Sequence, residues 1–167
     1  PFHGAVYAVV DAAAKMVALG GQADRIRLTF QEYFESLGKE PAKWGKPFAA
    51  LLGALYAQHM MKIPAIGGKD SMSGTCEDLT VPPTLAAFAV DVVDADKVIS
   101  PEFKFPGSKV YVIPAPHDSF DLPAFQRLNM NFQKVGKLIS EKKVLSASTV
   151  GIGGIAAAVS KMALGNN

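Results

Sequence analysis

The chain switches between two hydrophobic periods, and the switches mark out its elements. From about His3 to Leu19, Val6, Val9, Val10, Ala13, Met16 and Val17 recur at i, i+3, i+4 spacing. That spacing predicts an amphipathic helix with one apolar face, and Gly20-Gly21 supplies its stop. Asp11 and Lys15 lie four apart on the other side and read as a solvated face. The period then drops to two. Ile26, Leu28 and Phe30 alternate with Arg25, Arg27 and Thr29, the pattern of a half-buried strand. Two arginines on one strand face can grip a phosphate, although such faces are more commonly solvated. Residues 31–39 are charged and reach Gly38, predicting a short helix or excursion.

The helical period returns over Pro41–Met61, with Trp44, Phe48, Leu51, Leu52, Leu55 and Met60 as the apolar stripe. Pro47 places the start of the regular helix near that residue, since proline suits a first turn. His59, near the C-terminal end, suits the helix dipole when charged and reads as structural. Thr84 to Val93 is almost wholly apolar after Pro83, predicting a strand covered on both faces. Pro101, Pro106 and Gly107 mark a domain boundary. Beyond it lie an expected strand over Lys109–Ile113, a loop over residues 114–118, and a long helix from Asp121 to Lys143. The helix stripe is Phe125, Leu128, Phe132, Val135 and Ile139, with Asp121 as N-cap and Pro123 in the first turn. A last helix runs from the glycine-rich segment at residues 150–156 to Leu164.

Composition narrows the class. The 167 residues are 49% hydrophobic and 19% charged, which indicates a globular chain. A net charge of +2 gives no reason to expect nucleic acid as a partner. No apolar run reaches membrane-spanning length, so no membrane association is expected, and no secretory signal is present. Cys76 is the single cysteine; it permits no internal disulfide and favours a reducing compartment. The start at Pro1 suggests a piece of a longer protein.

Candidate chemistry concentrates in Ile66-Gly67-Gly68-Lys69-Asp70-Ser71-Met72-Ser73-Gly74. Paired glycines can fold the backbone tightly and turn successive N–H groups toward an anion. Lys69 adds a positive charge, Asp70 a hard oxygen ligand for Mg2+, and Ser71 and Ser73 hydroxyl donors. A metal–phosphate ligand and a tight turn with solvated charges both fit these residue types. A P-loop does not, because Asp70 follows Gly68-Lys69 and Ile63 stands where the earlier glycine is needed. Gly151, Gly153 and Ala156 formally match a dinucleotide fingerprint, but residues 145–149 make a poor strand before it; an anion at that helix N-terminus stays open. Asp91, Asp94 and Asp96 lie close together without a histidine and read as a solvated turn.

Residues 2–10, 28–34, 44–53, 64–74, 81–85 and 143–147 together resemble phosphoribosylformylglycinamidine synthase, the large purine-pathway amidotransferase. The stretch Gly68-Lys69-Asp70-Ser71-Met72-Ser73 is the most specific part. The resemblance implies an α/β (α+β) fold like that of aminoimidazole ribonucleotide synthetase, with a mixed or antiparallel sheet and helices. Residues 1–106 would be the N-terminal subdomain of the second synthetase-like unit, and residues 107–167 the start of its C-terminal subdomain. It implies a cytoplasmic ligase that uses ATP, Mg2+ and glutamine to convert formylglycinamide ribonucleotide to the amidine. The implied partners are the first synthetase-like unit and the glutaminase domain of the parent chain, the ribonucleotide substrate, and a homodimer of this piece in their absence.

By the same resemblance, Gly67, Gly68, Lys69, Asp70 and Ser71 would meet nucleotide or phosphate, and Asp70 the metal. No catalytic residue is expected here, because the catalytic histidine motif and the glutaminase cysteine lie elsewhere. Two departures stand out. Some members carry a magnesium-binding Glu-x-x-x-Asn in the first helix, where this chain has Ala12 and Met16. The same members have an acid before the paired glycines of the last helix, where this chain has Ile152. Their auxiliary nucleotide site is therefore expected to be lost or rebuilt. A non-catalytic structural half of a pseudo-dimer and a stand-alone synthetase of the same superfamily are the alternatives.

Overall fold

In the computed structural model, which describes residues 1–164, the periodic stretches become helices α1 (Phe2–Ala18), α2 (Pro41–Met61), α3 (Phe125–Ser140) and α4 (Gly154–Leu164). The strands are β1 (Arg27–Tyr33), β2 (Ala65–Ser71), β3 (Thr75–Cys76), β4 (Leu79–Thr80) and β5 (Thr84–Val90). These residues fall into two compact units. One comprises Pro1–Ala12 and Arg27–Val90; the other comprises Ala13–Ile26 and the chain from Asp91 onward. Residues 165–167 of the expected 107–167 subdomain lie outside the described residues.

The first unit is built on a mixed three-stranded sheet of order β2-β1-β5. Central β1 runs parallel to β2 and antiparallel to β5, and both pairings continue to Tyr33, opposite Ser71 and Thr84. The expected helix or excursion after Phe30 is therefore corrected: ladder bonds on both sides keep residues 31–33 extended. The strand over 84–93 ends at Val90, and its expected cover on both faces is absent, since Phe88 and Val90 are exposed. β5 is an edge strand, and one face of it remains open. β3 and β4 form a separate small hairpin.

Helix α2 overturns the expected inward stripe. Its buried residues are Pro47, Ala50, Gly53, Ala54, Ala57 and Met61. Phe48 is 62% exposed and Leu51 55%, and Trp44, Leu52, Leu55 and Met60 are exposed as well. The reason is close helix approach. A Cβ on Gly53 would lie 2.2 Å from the Phe2 carbonyl oxygen and 3.1 Å from Ala5 Cβ. Small residues let the two backbones meet, and the large residues are left on the outer side. The helix also begins at Pro41 rather than near Pro47; Lys43 and Lys46 in its early turns pair with Glu35.

In the second unit, Ala13, Val17 and Ile26 are buried, as are Phe125, Leu128, Phe132 and Ile139 of α3. The Ile99 amide donates to the Leu19 carbonyl at 3.2 Å, and the Phe103 amide to the Met162 carbonyl at 3.0 Å. Residues 109–113 form no strand, and Val110 through Ile113 are exposed; a strand needs a partner, and none lies beside them among the described residues. Helix α3 is shorter than expected. Asp121 has φ +56° rather than a cap geometry, Asp118 Oδ1 accepts from the amides of Phe120 and Leu122, and Ala124 is the N-cap.

Candidate functional site

The candidate stretch follows α2 after a single left-handed residue, Lys62 (φ 59°). The Ile63 amide donates to the Gln58 carbonyl at 3.1 Å, Ala65 N to Gln58 Oε1 at 2.8 Å, and Leu28 N to the Pro64 carbonyl at 3.0 Å. These bonds deliver the chain into β2 alongside β1. Gly67 and Gly68 thus lie in a strand, paired with Thr29 and Phe30, and neither has a positive φ. The tight glycine turn and its nest of N–H groups are not formed. At Gly68 the requirement is space: a Cβ there would sit 2.8 Å from the Phe30 carbonyl oxygen. Gly67 meets nothing within 4 Å of such a Cβ.

Strand alternation divides the candidate residues between two faces. Gly67, Lys69 and Ser71 share a face with Thr29, Gln31 and Tyr33; Gly68 and Asp70 share the other with Phe30 and Glu32. On the first face, Lys69 Nζ donates to Ser71 Oγ at 3.2 Å and to the Asp70 carbonyl at 3.3 Å. Gln31 Nε2 donates to the Lys69 carbonyl at 3.1 Å. The ammonium of Lys69 and the carboxylate of Asp70 are therefore not gathered into one cradle. Residues 66–70 are exposed on an edge strand, so a ligand passing along that edge can reach both faces. Past Ser71, Gly74 is held by a bond from its amide to the Phe34 carbonyl, and the Val81 amide bonds the Gly74 carbonyl in turn. A side chain on Gly74 would strike Val81.

Glu32 is a residue that the pattern reading passed over. It pairs in register with Asp70 and is only 6% exposed. Its carboxylate has no hydrogen-bonding or cationic partner among the described residues. Burial, and then the negative charge of Asp70, push its pKa above the ordinary value of 4.5. The signal was present in the sequence: Leu28, Phe30 and Glu32 continue one period of two, placing an acid on the buried face of a strand.

Asp70 is exposed and its carboxylate forms no ion pair among the described residues, so a hard divalent cation such as Mg2+ fits its donor chemistry. The other acidic candidates have local duties. Asp91 accepts from the amides of Gln22 and Val92, and Asp94 pairs with Lys97 at 2.5 Å. No group of three or more His, Cys, Asp or Glu side chains is placed to hold a metal among the described residues. Cys76 is free and exposed on β3. Gly153 and Gly154 have φ of +91° and +67°, and no strand runs directly into them, since α3 is the element before α4, so the dinucleotide arrangement is not formed. No described helix is long and apolar enough to cross a membrane.

No protein-family model matches the sequence, and no curated protein matches it significantly. Solved structures do match. PurL from T. maritima complexed with AMPPCP superimposes with a TM-score of 0.70 at 17% identity, covering 99% of this chain and 26% of that one. The same protein complexed with ATP gives 0.68 at 17% identity, over 97% and 26%. A structure described as phosphoribosylformylglycinamidine synthase II from Thermotoga maritima gives 0.60 at 18% identity, over 96% and 25%. The chain spans about a quarter of the length of these proteins. Helices with a mixed sheet, matched over nearly every residue, give this chain the α+β fold of a segment of T. maritima PurL.

Proposed function

We propose that the chain is a segment of an ATP- and glutamine-dependent phosphoribosylformylglycinamidine synthase acting in cytoplasmic purine biosynthesis. The observation that carries the reading is the fold likeness to PurL over 99% of the chain, in a structure complexed with an ATP analogue. Residues 1–106 would form the N-terminal subdomain of the second synthetase-like unit and residues 107–167 the opening of the C-terminal one. In the parent reaction the substrate amide oxygen attacks the γ-phosphorus of ATP and ADP leaves. Ammonia released from glutamine then adds to the activated carbon and phosphate departs. Within this segment the exposed edge of β2 is the nucleotide-facing element. Lys69 would neutralise phosphate from one face with Ser71 beside it, Asp70 would hold Mg2+ from the other, and Gly67-Gly68 leave the edge bare. Bound Mg2+ would supply charge neutralisation at the phosphoryl group.

The partners in this reading are the first synthetase-like unit, the glutaminase domain and the ribonucleotide. In their absence a second copy of the chain would cover the exposed apolar surface and the strand edge and self-associate. A strict monomer by light scattering at high concentration would count against that. The chain alone should show no synthase turnover even with free ammonia, and ribonucleotide-dependent ADP release would overturn this.

A structural half of a pseudo-dimer is the second reading. Ala12 is buried and Ile152 is fully exposed, and neither can ligate a metal where some relatives carry acids. Asp70→Asn in the parent enzyme separates the two. Under the nucleotide reading, ATP use should weaken at least tenfold, about 1.4 kcal/mol of transition-state stabilisation, with partial recovery at raised Mg2+ and intact glutaminase activity. Unchanged ATP kinetics with a stability loss on the order of 1 kcal/mol would leave β2 a structural strand.

A further inference from the structure

We propose that Glu32 is a second carboxylate ligand beside Asp70, so that β1 and β2 together seat one divalent cation of the Mg2+ class at the edge of the sheet. The inference rests on the assignment of Asp70 as a metal ligand and adds a residue from the neighbouring strand. Glu32 and Asp70 are register partners in a parallel ladder, so their side chains leave the same face. Adjacent strands lie about 4.8 Å apart, which keeps both carboxylates within reach of one ion. Glu32 is only 6% exposed, and its carboxylate has no hydrogen-bonding or cationic partner among the described residues. Buried carboxylates are ordinarily paired, hydrogen-bonded or metal-bound.

The two acids also repel, because register partners in a parallel ladder carry their carboxylates on the same face. A divalent cation between them would neutralise both carboxylates and cancel that repulsion. The residues around them do not supply a competing cation. Lys69 lies on the opposite face, bonded to Ser71 and to the Asp70 main chain, and Lys43 and Lys46 are engaged with Glu35. Glu32 faces Leu85 across β5, an apolar neighbour. The exposure of Asp70 on the edge strand leaves one side of the ion open, as Mg2+ requires to retain waters or take phosphate oxygens. Ligands on paired strands are held more firmly than ligands on a loop.

The test uses the 167-residue chain and Mn2+ as probe, read by loss of the free-ion electron paramagnetic resonance signal and by competition with Mg2+. Glu32→Gln and Asp70→Asn should each weaken Mn2+ binding at least tenfold. Because Glu32→Gln alters a buried site, the unsubstituted chain gives an independent readout: substoichiometric Mn2+ should broaden the side-chain carboxyl carbon resonances of Glu32 and Asp70 alike, and Mg2+ should reverse it. Weakening by Asp70→Asn with unchanged affinity in a folded Glu32→Gln chain, or broadening at Asp70 alone, would remove Glu32 and leave the Asp70 assignment standing. No Mn2+ bound to the unsubstituted chain would overturn both.

Discussion

Helices α1 and α2 carry similar apolar patterns and use them in opposite ways. Val6 and Val9 on the α1 stripe are fully buried. Phe48 and Leu51 on the α2 stripe are exposed, while Ala50, Gly53, Ala54 and Ala57 face inward. Apolar periodicity shows that a helix has a greasy side, but not whether its own fold or another surface covers it. The small side of α2 is chosen for contact because it lets the backbones approach, and the Gly53–Phe2 contact is where that approach is tightest. The large side chains are left outside as an exposed apolar surface.

The strongest way to break this contrast is Gly53→Val. The first added carbon would lie 2.2 Å from a main-chain oxygen, so the helices must separate. We expect a loss of about 3 kcal/mol or more, a fall of roughly 10 °C in melting temperature for a chain of this size. A melt within a degree or two of the unsubstituted chain would mean the small side of α2 is not a contact. Next comes Val9→Ala, which removes buried methyl groups from α1 and should cost about 2 kcal/mol in urea unfolding. Phe48→Ala and Leu51→Ala, although larger truncations, should change monomer stability by no more than about 0.5 kcal/mol. They should reduce self-association in light scattering instead. A cost equal to that of Val9→Ala would erase the distinction between the two stripes.

The smallest effect concerns the N-terminal turns of α2. Hydrogen bonding to Lys46 is the main reason the Glu35 pKa is lowered, with Lys43 adding to it. A lowered folded pKa favours the charged form in the native state, so the stabilisation is present above the unfolded value of about 4.5 and fades as the pH falls below it toward the folded value. Melting temperature should drop more steeply with acidification below pH 4.5 in the unsubstituted chain than in Glu35→Gln. Parallel slopes would show that these ion pairs do not hold α2.

Much of the framework was legible in residue order. The α1 stripe, the alternation Ile26-Leu28-Phe30, the apolar run of β5 and the stripe of α3 each led to the right element type, because side-chain period follows backbone geometry. The candidate site was legible as composition but not as shape. Two glycines before Lys69 and Asp70 suggest a turn, and the stretch is a strand because β1 lies beside it with its partners already in register. That pairing separates Lys69 from Asp70 and brings Glu32, 38 positions away in sequence, next to Asp70.

By itself, then, the sequence determined the helical and extended periods, the small residues available for close approach and the acids available to a cation, all of which depend on local chemistry. The tertiary structure alone decided which side of α2 turns inward, that residues 109–113 stay unpaired, and which two carboxylates become neighbours. Those outcomes depend on non-local contacts, where backbone clearance and strand register outweigh local preference.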